Sequence, residues 1–319
     1  TPNLCDAQLK RSLLNWACLG QSTEAVKRLL TNAHLDINLR SGPRKTTALH
    51  EACSVGFSEG VTLLLAHPEV DINATTDDHQ GLTPVHMAVQ ANQVECLRLL
   101  LAAGARVDLF ACDTGRLPIH TAVLFGYQQC ICRNNPEQLD LLWTPNKLDQ
   151  RSAIEMAIVT GLTSTLQLLL DYDGHCSIPP SLPLTRPDLI DLAIEWNRIE
   201  MLRLLIKRGC KVSAKSLLKA VQQRKIDMVR ELVTSGKVDP TATSTHTLST
   251  TCSSGYNPSF LYAANHGFLD MIPLLLTLNT SKDCIQQALL LASSIGLRDQ
   301  LAHTIVFTLK SLAAIAAKK

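Results

Sequence analysis

Apolar residues in this chain fall in short runs that return at a near-constant interval. Leucine-rich runs at 63–65 and 99–101 are the clearest, with weaker ones at 29–30, 168–170, 204–206, 232–233 and 274–276. Between the runs a small residue recurs at Ala17, Ala52, Ala88, Ala122, Ala157, Ala193, Ala220, Ala263 and Ala292, with successive gaps of 35, 36, 34, 35, 36, 27, 43 and 29. The pattern predicts paired helices. One member carries the alanine, which lets neighbouring helices approach closely. The other carries the leucines, which bury against the next pair, so that no pair folds alone. The short gap before Ala220 leaves little loop, and its helix should begin near Ser213. The long gap before Ala263 holds a polar insertion, in which ten of the fourteen residues 241–254 are Ser or Thr. Leu301, Ile305, Leu309 and Leu312 lie at helical spacing in a closing pair over 281–319.

A motif sits just before the alanines. Thr47-Ala48-Leu49-His50-Glu51-Ala52 returns as Thr83-Pro84-Val85-His86-Met87-Ala88 and as Leu117-Pro118-Ile119-His120-Thr121-Ala122, with Gly56, Asn92 and Gly126 four residues after each alanine. Thr suits a helix entrance because its oxygen caps free backbone N–H groups, and Pro at the first helical position loses nothing by lacking an N–H. These residues resemble the ankyrin repeat, whose T-P-L-H-x-A signature recurs at about 33 residues. The resemblance implies an all-α ankyrin-repeat solenoid of about nine helix-turn-helix units with short β-hairpin fingers, several of them degenerate. It covers 1–319 as one body: clearest over 46–122, degenerate over 1–45 and 123–280, with a capping pair over 281–319. It also implies that His50, His86 and His120 are structural, each bonded back to the loop at its helix entrance.

The match is uneven. In the fifth unit Ser152-Ala153-Ile154-Glu155-Met156-Ala157 carries Glu where His is expected. Arg133-Asn134-Asn135-Pro136 should break the second helix of the fourth unit, with a restart at Pro136 running to Trp143. Three prolines in 178–183 should replace a finger by an extended connection.

Composition narrows the function. Thirty Lys and Arg against 28 Asp and Glu give a formal charge of +2, so no global field steers the chain to nucleic acid or a membrane. Eleven cysteines form no C-x-x-C pair. Cys18 and Cys53 each follow a helical alanine, as small core residues do, and Cys130 and Cys132 are the only close pair. Residues Thr1 to Lys10 show no charged-then-apolar order, and no apolar run exceeds six residues. The expectation is a reducing, cytoplasmic setting, with the nucleus also open. A nucleophile with its base, a phosphate loop, an H-E-x-x-H pair and paired carboxylates are all missing from the sequence, so neither a catalytic residue nor a cofactor is expected.

Candidate residues are therefore those a partner would touch. The resemblance places a partner on a concave surface made by finger tips and the exposed ends of first helices. That reading selects Val55, Gln90, Leu124, Phe125, Val159, Glu195 and Trp196, together with the finger-tip residues Asp77, Asp78 and His79. Leu124, Phe125, Val159 and Trp196 suggest an apolar groove over the fourth to sixth units. A second feature is basic: residues 201–237 hold ten Lys or Arg and two acids, a local +8, with Arg203, Lys207, Arg208, Lys211, Lys215, Lys219, Arg224 and Lys225 at its centre. The expected function is a protein–protein interaction scaffold or adaptor. The same repeats also suit a regulatory domain of a larger protein, such as a channel, a ubiquitin-ligase subunit or a bacterial effector. The basic stretch suits an acidic ligand, phosphoinositide or RNA.

Overall fold

The computed structural model describes residues 2–133, 140–173, 188–210, 212–235, 257–276, 280–294 and 296–316. Where the sequence suggests one body, the chain gathers into two compact units, Thr1–His175 and Cys176–Lys319. The proposed helix break at 133–136, the three-proline connection and the Ser/Thr insertion fall wholly or mainly outside the described residues.

The first unit holds α1 (Leu13–Leu19), α2 (Thr23–Leu30), α3 (Ala48–Val55), α4 (Ser58–Leu65), α5 (Pro84–Gln90), α6 (Val94–Ala102), α7 (Pro118–Phe125), α8 (Gln128–Arg133), α9 (Asp140–Trp143), α10 (Ala153–Thr160) and α11 (Thr163–Asp173). First helices stack on first helices, in the order α1, α3, α5, α7, α10; α2, α4, α6, α8 and α11 stack beside them. The stacking works through the alanines: Ala17, Ala52, Ala88, Ala122 and Ala157 are all buried. Leu64, Leu97, Leu100 and Leu169 are fully buried on the second helices, each worth about 1.5–3 kcal/mol of transfer free energy. Gly56, Gly126 and Gly161 end their helices in the left-handed region, and Asn92 takes the same conformation after α5.

The fingers are slighter than the expected β-hairpins. Among the described residues they form only the isolated bridges Cys5–Ser12 and Ser41–Thr46. Later fingers close on Thr76 N–H to Leu82 O at 2.8 Å, Ala111 N–H to Arg116 O at 2.9 Å and Asn146 N–H to Arg151 O at 2.9 Å. These loops are too short to extend a ladder beyond the turn. Their remaining hydrogen-bonding groups reach sideways, so that each finger is tied to the next: Gly42 N–H to Lys10 O (2.8 Å), Asp77 N–H to Lys45 O (3.4 Å), Cys112 N–H to Gln80 O (2.7 Å) and Lys147 N–H to Gly115 O (2.8 Å).

The second unit holds α12 (Leu189–Glu195), α13 (Ile199–Lys207), α14 (Ala214–Gln222), α15 (Ile226–Thr234), α16 (Pro258–Asn265), α17 (Ile272–Leu275), α18 (Lys282–Ser294) and α19 (Arg298–Ala316). Its first helices α12, α14, α16 and α18 stack through Ala193, Ala220, Ala263 and Ala292, again all buried. Ser213 caps α14 as expected, accepting from Ser216 N–H at 3.1 Å. In the closing pair Leu301 and Ile305 are buried, whereas Leu290, Val306, Phe307 and Ile315 are exposed on another face.

Candidate partner-binding surface

The motif histidines are consumed by the fold. The Nδ1 atom of His50 accepts from Thr47 N–H at 3.2 Å, which leaves its proton on Nε2; that N–H donates to Leu82 O at 2.9 Å in the next unit. His86 repeats this between Thr83 N–H (3.3 Å) and Arg116 O (3.2 Å), and His120 between Leu117 N–H (3.0 Å) and Thr144 O (2.9 Å). Each imidazole thus bonds back to its own loop, as the resemblance implies, and also forward to the following unit. Burial holds the His50 and His86 rings neutral, lowering both from the ordinary 6.5 to about 4. Asn15, which the sequence reading passed over, does the same work in the first unit: its Oδ1 accepts from Ser12 Oγ at 2.9 Å, and its Nδ2 donates to Thr46 O at 3.0 Å. Its place three residues after a capping Ser was the available signal. Glu155 accepts from Ser152 N–H at 2.7 Å and so replaces the backward half of the histidine's role.

In the first unit the selected surface residues divide. Phe125 is 55% exposed at the end of α7 and stacks on Tyr127, with ring centroids 5.6 Å apart. Tyr127 was not selected, although it stands two residues along. Leu124, Val159 and Val55 are half-buried and Gln90 is exposed, each at or near the end of its first helix. Thiols aside, the ionisable residues of α1, α3, α5, α7 and α10 are His50, Glu51, His86, His120 and Glu155, and all are buried. These five helices therefore expose no charge, and they leave Trp16 on α1 and Phe125 on α7 exposed. Asp78 proves to be a loop brace: its Oδ1 accepts from Thr76 Oγ1 (2.6 Å), Gln80 N–H (3.1 Å) and Gly81 N–H (3.2 Å). Asp77 and His79 are exposed at the tip, with Asp77 paired to Lys45 at 2.8 Å.

In the second unit Trp196 is 41% exposed beside the exposed Glu195, at the end of α12. The basic stretch is more balanced than its +8 suggests, because acids from neighbouring helices meet it. Arg203 bridges Glu200 (2.8 Å) and Glu231 (2.5 Å), and Lys219 pairs with Glu195 at 3.0 Å. Lys225 turns inward to the carbonyls of Ile194 and Glu195, and its pKa is lowered by burial. The Arg224 guanidinium lies over the Phe268 ring at 5.2 Å. Lys207 and Lys215 are exposed and make no ion pair among the described residues; Arg208 is half-buried. Lys211 lies outside the described residues.

No cluster of His, Cys, Asp or Glu among the described residues could hold a metal ion, and no described helix is long and apolar enough to cross a membrane. Cys18, Cys53, Cys96 and Cys130 are buried. Burial pushes the Cys18 thiol up to about 12, those of Cys96 and Cys130 to about 11, and Cys53 well above its usual range. Such thiols are packing groups rather than nucleophiles. Cys132 lies within a helix, but its side chain is outside the described set.

Stacked helix pairs with interlocked loops, buried motif histidines and an uncharged exposed face define a repeat protein of the interaction-module class. A family model described as ankyrin repeats (3 copies) matches residues 1–76 and 69–133. Residues 1–133 thus match the ankyrin-repeat family, and the fold class of the chain is the all-α ankyrin solenoid. It is 34% identical over 117 residues to the nuclear factor NF-kappa-B p105 subunit of Gallus gallus, a match covering 36% of this chain and 12% of that one. It is 34% identical over 107 residues to ankyrin repeat and SOCS box protein 16 of Homo sapiens, covering 34% and 22%. With E3 ubiquitin-protein ligase XBAT33 of Arabidopsis thaliana it shares 32% over 169 residues, covering 52% and 30%. The matches thus span less than a third of these curated relatives. The human ASB11 ankyrin repeat domain superposes with a TM-score of 0.50 at 23% identity, covering 62% of this chain and 84% of that one, which is a likeness of fold. Ankyrin-repeat domains are non-catalytic modules that generally bind other proteins.

Proposed function

We propose that this chain acts as a scaffold or adaptor that grips a partner protein through the exposed ends of its first helices, in a reducing cytoplasmic setting, without catalysing a reaction. The observation that carries this reading is the five-helix face of the first unit. It exposes no charge, yet leaves Phe125 open to solvent, stacked on the half-buried Tyr127. Aromatic side chains on a rigid platform are the groups that dominate interface energies, at about 2 kcal/mol or more when a partner buries them. Gln90, Val55, Leu124 and Val159 supply the surrounding neutral contacts. In the second unit Trp196 and Glu195 offer a separate anchor and charge. Asp77 and His79 at the finger tip would rim the site. A regulatory role within a longer protein is a second reading, favoured by relatives that include a channel and a ubiquitin ligase and of which this chain matches only a part.

The test is affinity purification with the intact chain, followed by binding measurements on a purified partner. Phe125→Ala and Trp196→Ala should each weaken that partner about tenfold or more while leaving the far-ultraviolet circular dichroism unchanged. A partner bound equally well by the double variant would end the reading.

A further inference from the structure

The charges that the first helices avoid are gathered on the first two fingers. Residues 5–12 and 40–46 carry Lys10, Arg11, Arg40, Arg44 and Lys45 against one acid, Asp6, a +4 within these segments from which Arg11 drops out by pairing with Glu51 at 3.7 Å. That acid is taken up by its own loop and by Trp16. Hydrogen bonds led by Leu9 N–H and Trp16 Nε1 hold its carboxyl at about 2, and the N–H groups of Arg11 and Gln8 add to them. Lys10, Arg40 and Arg44 are exposed and make no ion pair among the described residues, and Lys45 meets only Asp77. The later fingers mix both signs, with Asp77, Asp113 and Asp149 among Lys147 and Arg151.

Two features of the backbone bear on what such a cluster receives. Lys10 and Lys45 stand two residues before the helix caps Ser12 and Thr47, with φ of 52° and 48°. The third and fourth fingers place Gly81 and Gly115 at the same point, both with φ of 56°. A left-handed conformation crowds a side chain against the following carbonyl, so these fingers keep a long cation where their neighbours keep glycine. The tip amides of Lys10, Gly42 and Lys45, meanwhile, are already bonded to Asp6 O, Lys10 O and Gly42 O. They offer no N–H cradle of the kind that seats a phosphate. What is left is a set of separate point charges on long arms, held side by side by the ties between fingers.

We propose that the first two fingers dock a carboxylate-rich segment of the partner protein, with Lys10, Arg40 and Arg44 as the principal contacts. This deepens the reading above and rests on it for the protein nature of the ligand. Spaced cations matched to spaced carboxylates give attraction at long range and a strong dependence on salt.

A fluorescein-labelled oligoglutamate peptide is the probe, followed by anisotropy at low and at physiological salt. It should bind the intact chain, weaken as salt rises, and lose about tenfold in affinity in Arg40→Glu/Arg44→Glu, with the neutral Arg40→Gln/Arg44→Gln intermediate. Lys207→Glu/Lys215→Glu in the second unit and Phe125→Ala should leave it unchanged. No binding, equal binding by Arg40→Glu/Arg44→Glu, or sensitivity only to the second-unit variant would overturn the proposal. So would capture of anionic phospholipid vesicles in place of the peptide. Phe125→Ala reports on the partner-gripping face and the arginine variants on the fingers, so the two readings fail separately.

Discussion

Acid should unfold the first unit through two named histidines. Lowering the pH forces a proton onto Nδ1 of His50 or His86, which ends the bond accepted from Thr47 or Thr83 N–H and places a charge on a buried ring. Each ring falls from 6.5 to about 4 on burial, a difference worth about 3 kcal/mol per imidazole and about 6 for the two. The folded pKa lies below the unfolded one, so between those values the unfolded chain binds more protons. The stabilisation is therefore complete above about pH 6.5 and is lost as the pH falls toward 4. Urea denaturation followed by circular dichroism across that window reads the slope directly. His50→Gln/His86→Gln keeps an acceptor and a donor but cannot titrate. It should be less stable at neutral pH and should flatten the slope by most of that amount. Carboxylates contribute equally to both proteins and cancel in the difference. Identical slopes for the two would refute the reasoning.

Two further outcomes follow from the packing. Asn15→Leu removes the bond to Thr46 O, which keeps its bond from Ser41 N–H, and the one accepted from Ser12 Oγ; it should cost about 0.5–1.5 kcal/mol per bond in the same urea assay, while Asn15→His should recover much of it, and a neutral Asn15→Leu would remove Asn15 from the relay. In brief alkylation of the native chain, peptide mass spectrometry should find Cys5 and Cys112 modified, and Cys18, Cys53 and Cys96 protected until denaturant is added. Equal labelling of both sets would contradict the burial described.

The repeat was legible because its signature residues are the cap itself: Thr, Pro and His at fixed spacing serve one helix entrance. All nine alanines of the register are buried in helices, even where the signature is lost, because close helix approach tolerates little else. Asn15 escaped notice because a different side chain supplies the same acceptor and donor. The fingers were overdrawn as hairpins, since the sequence does not reveal that loop amides bond sideways to the next finger. Surface chemistry was harder to read. Phe125 stood out by its place before Gly126, but pairs such as Lys219 with Glu195 and Arg203 with Glu231 join residues more than twenty positions apart. The net charge of a stretch counts only its own members.

The polar side chains inside the helix caps all point one way along the chain, Asn15 toward Thr46, His50 toward Leu82, His86 toward Arg116 and His120 toward Thr144. Shortening the first unit from its two sides is consequently unequal. Trimming at the front removes a donor from a carbonyl that, at Thr46, Leu82 and Arg116, still accepts from its own finger. Trimming at the back leaves a buried N–H aimed at nothing, and unravelling should advance from that side.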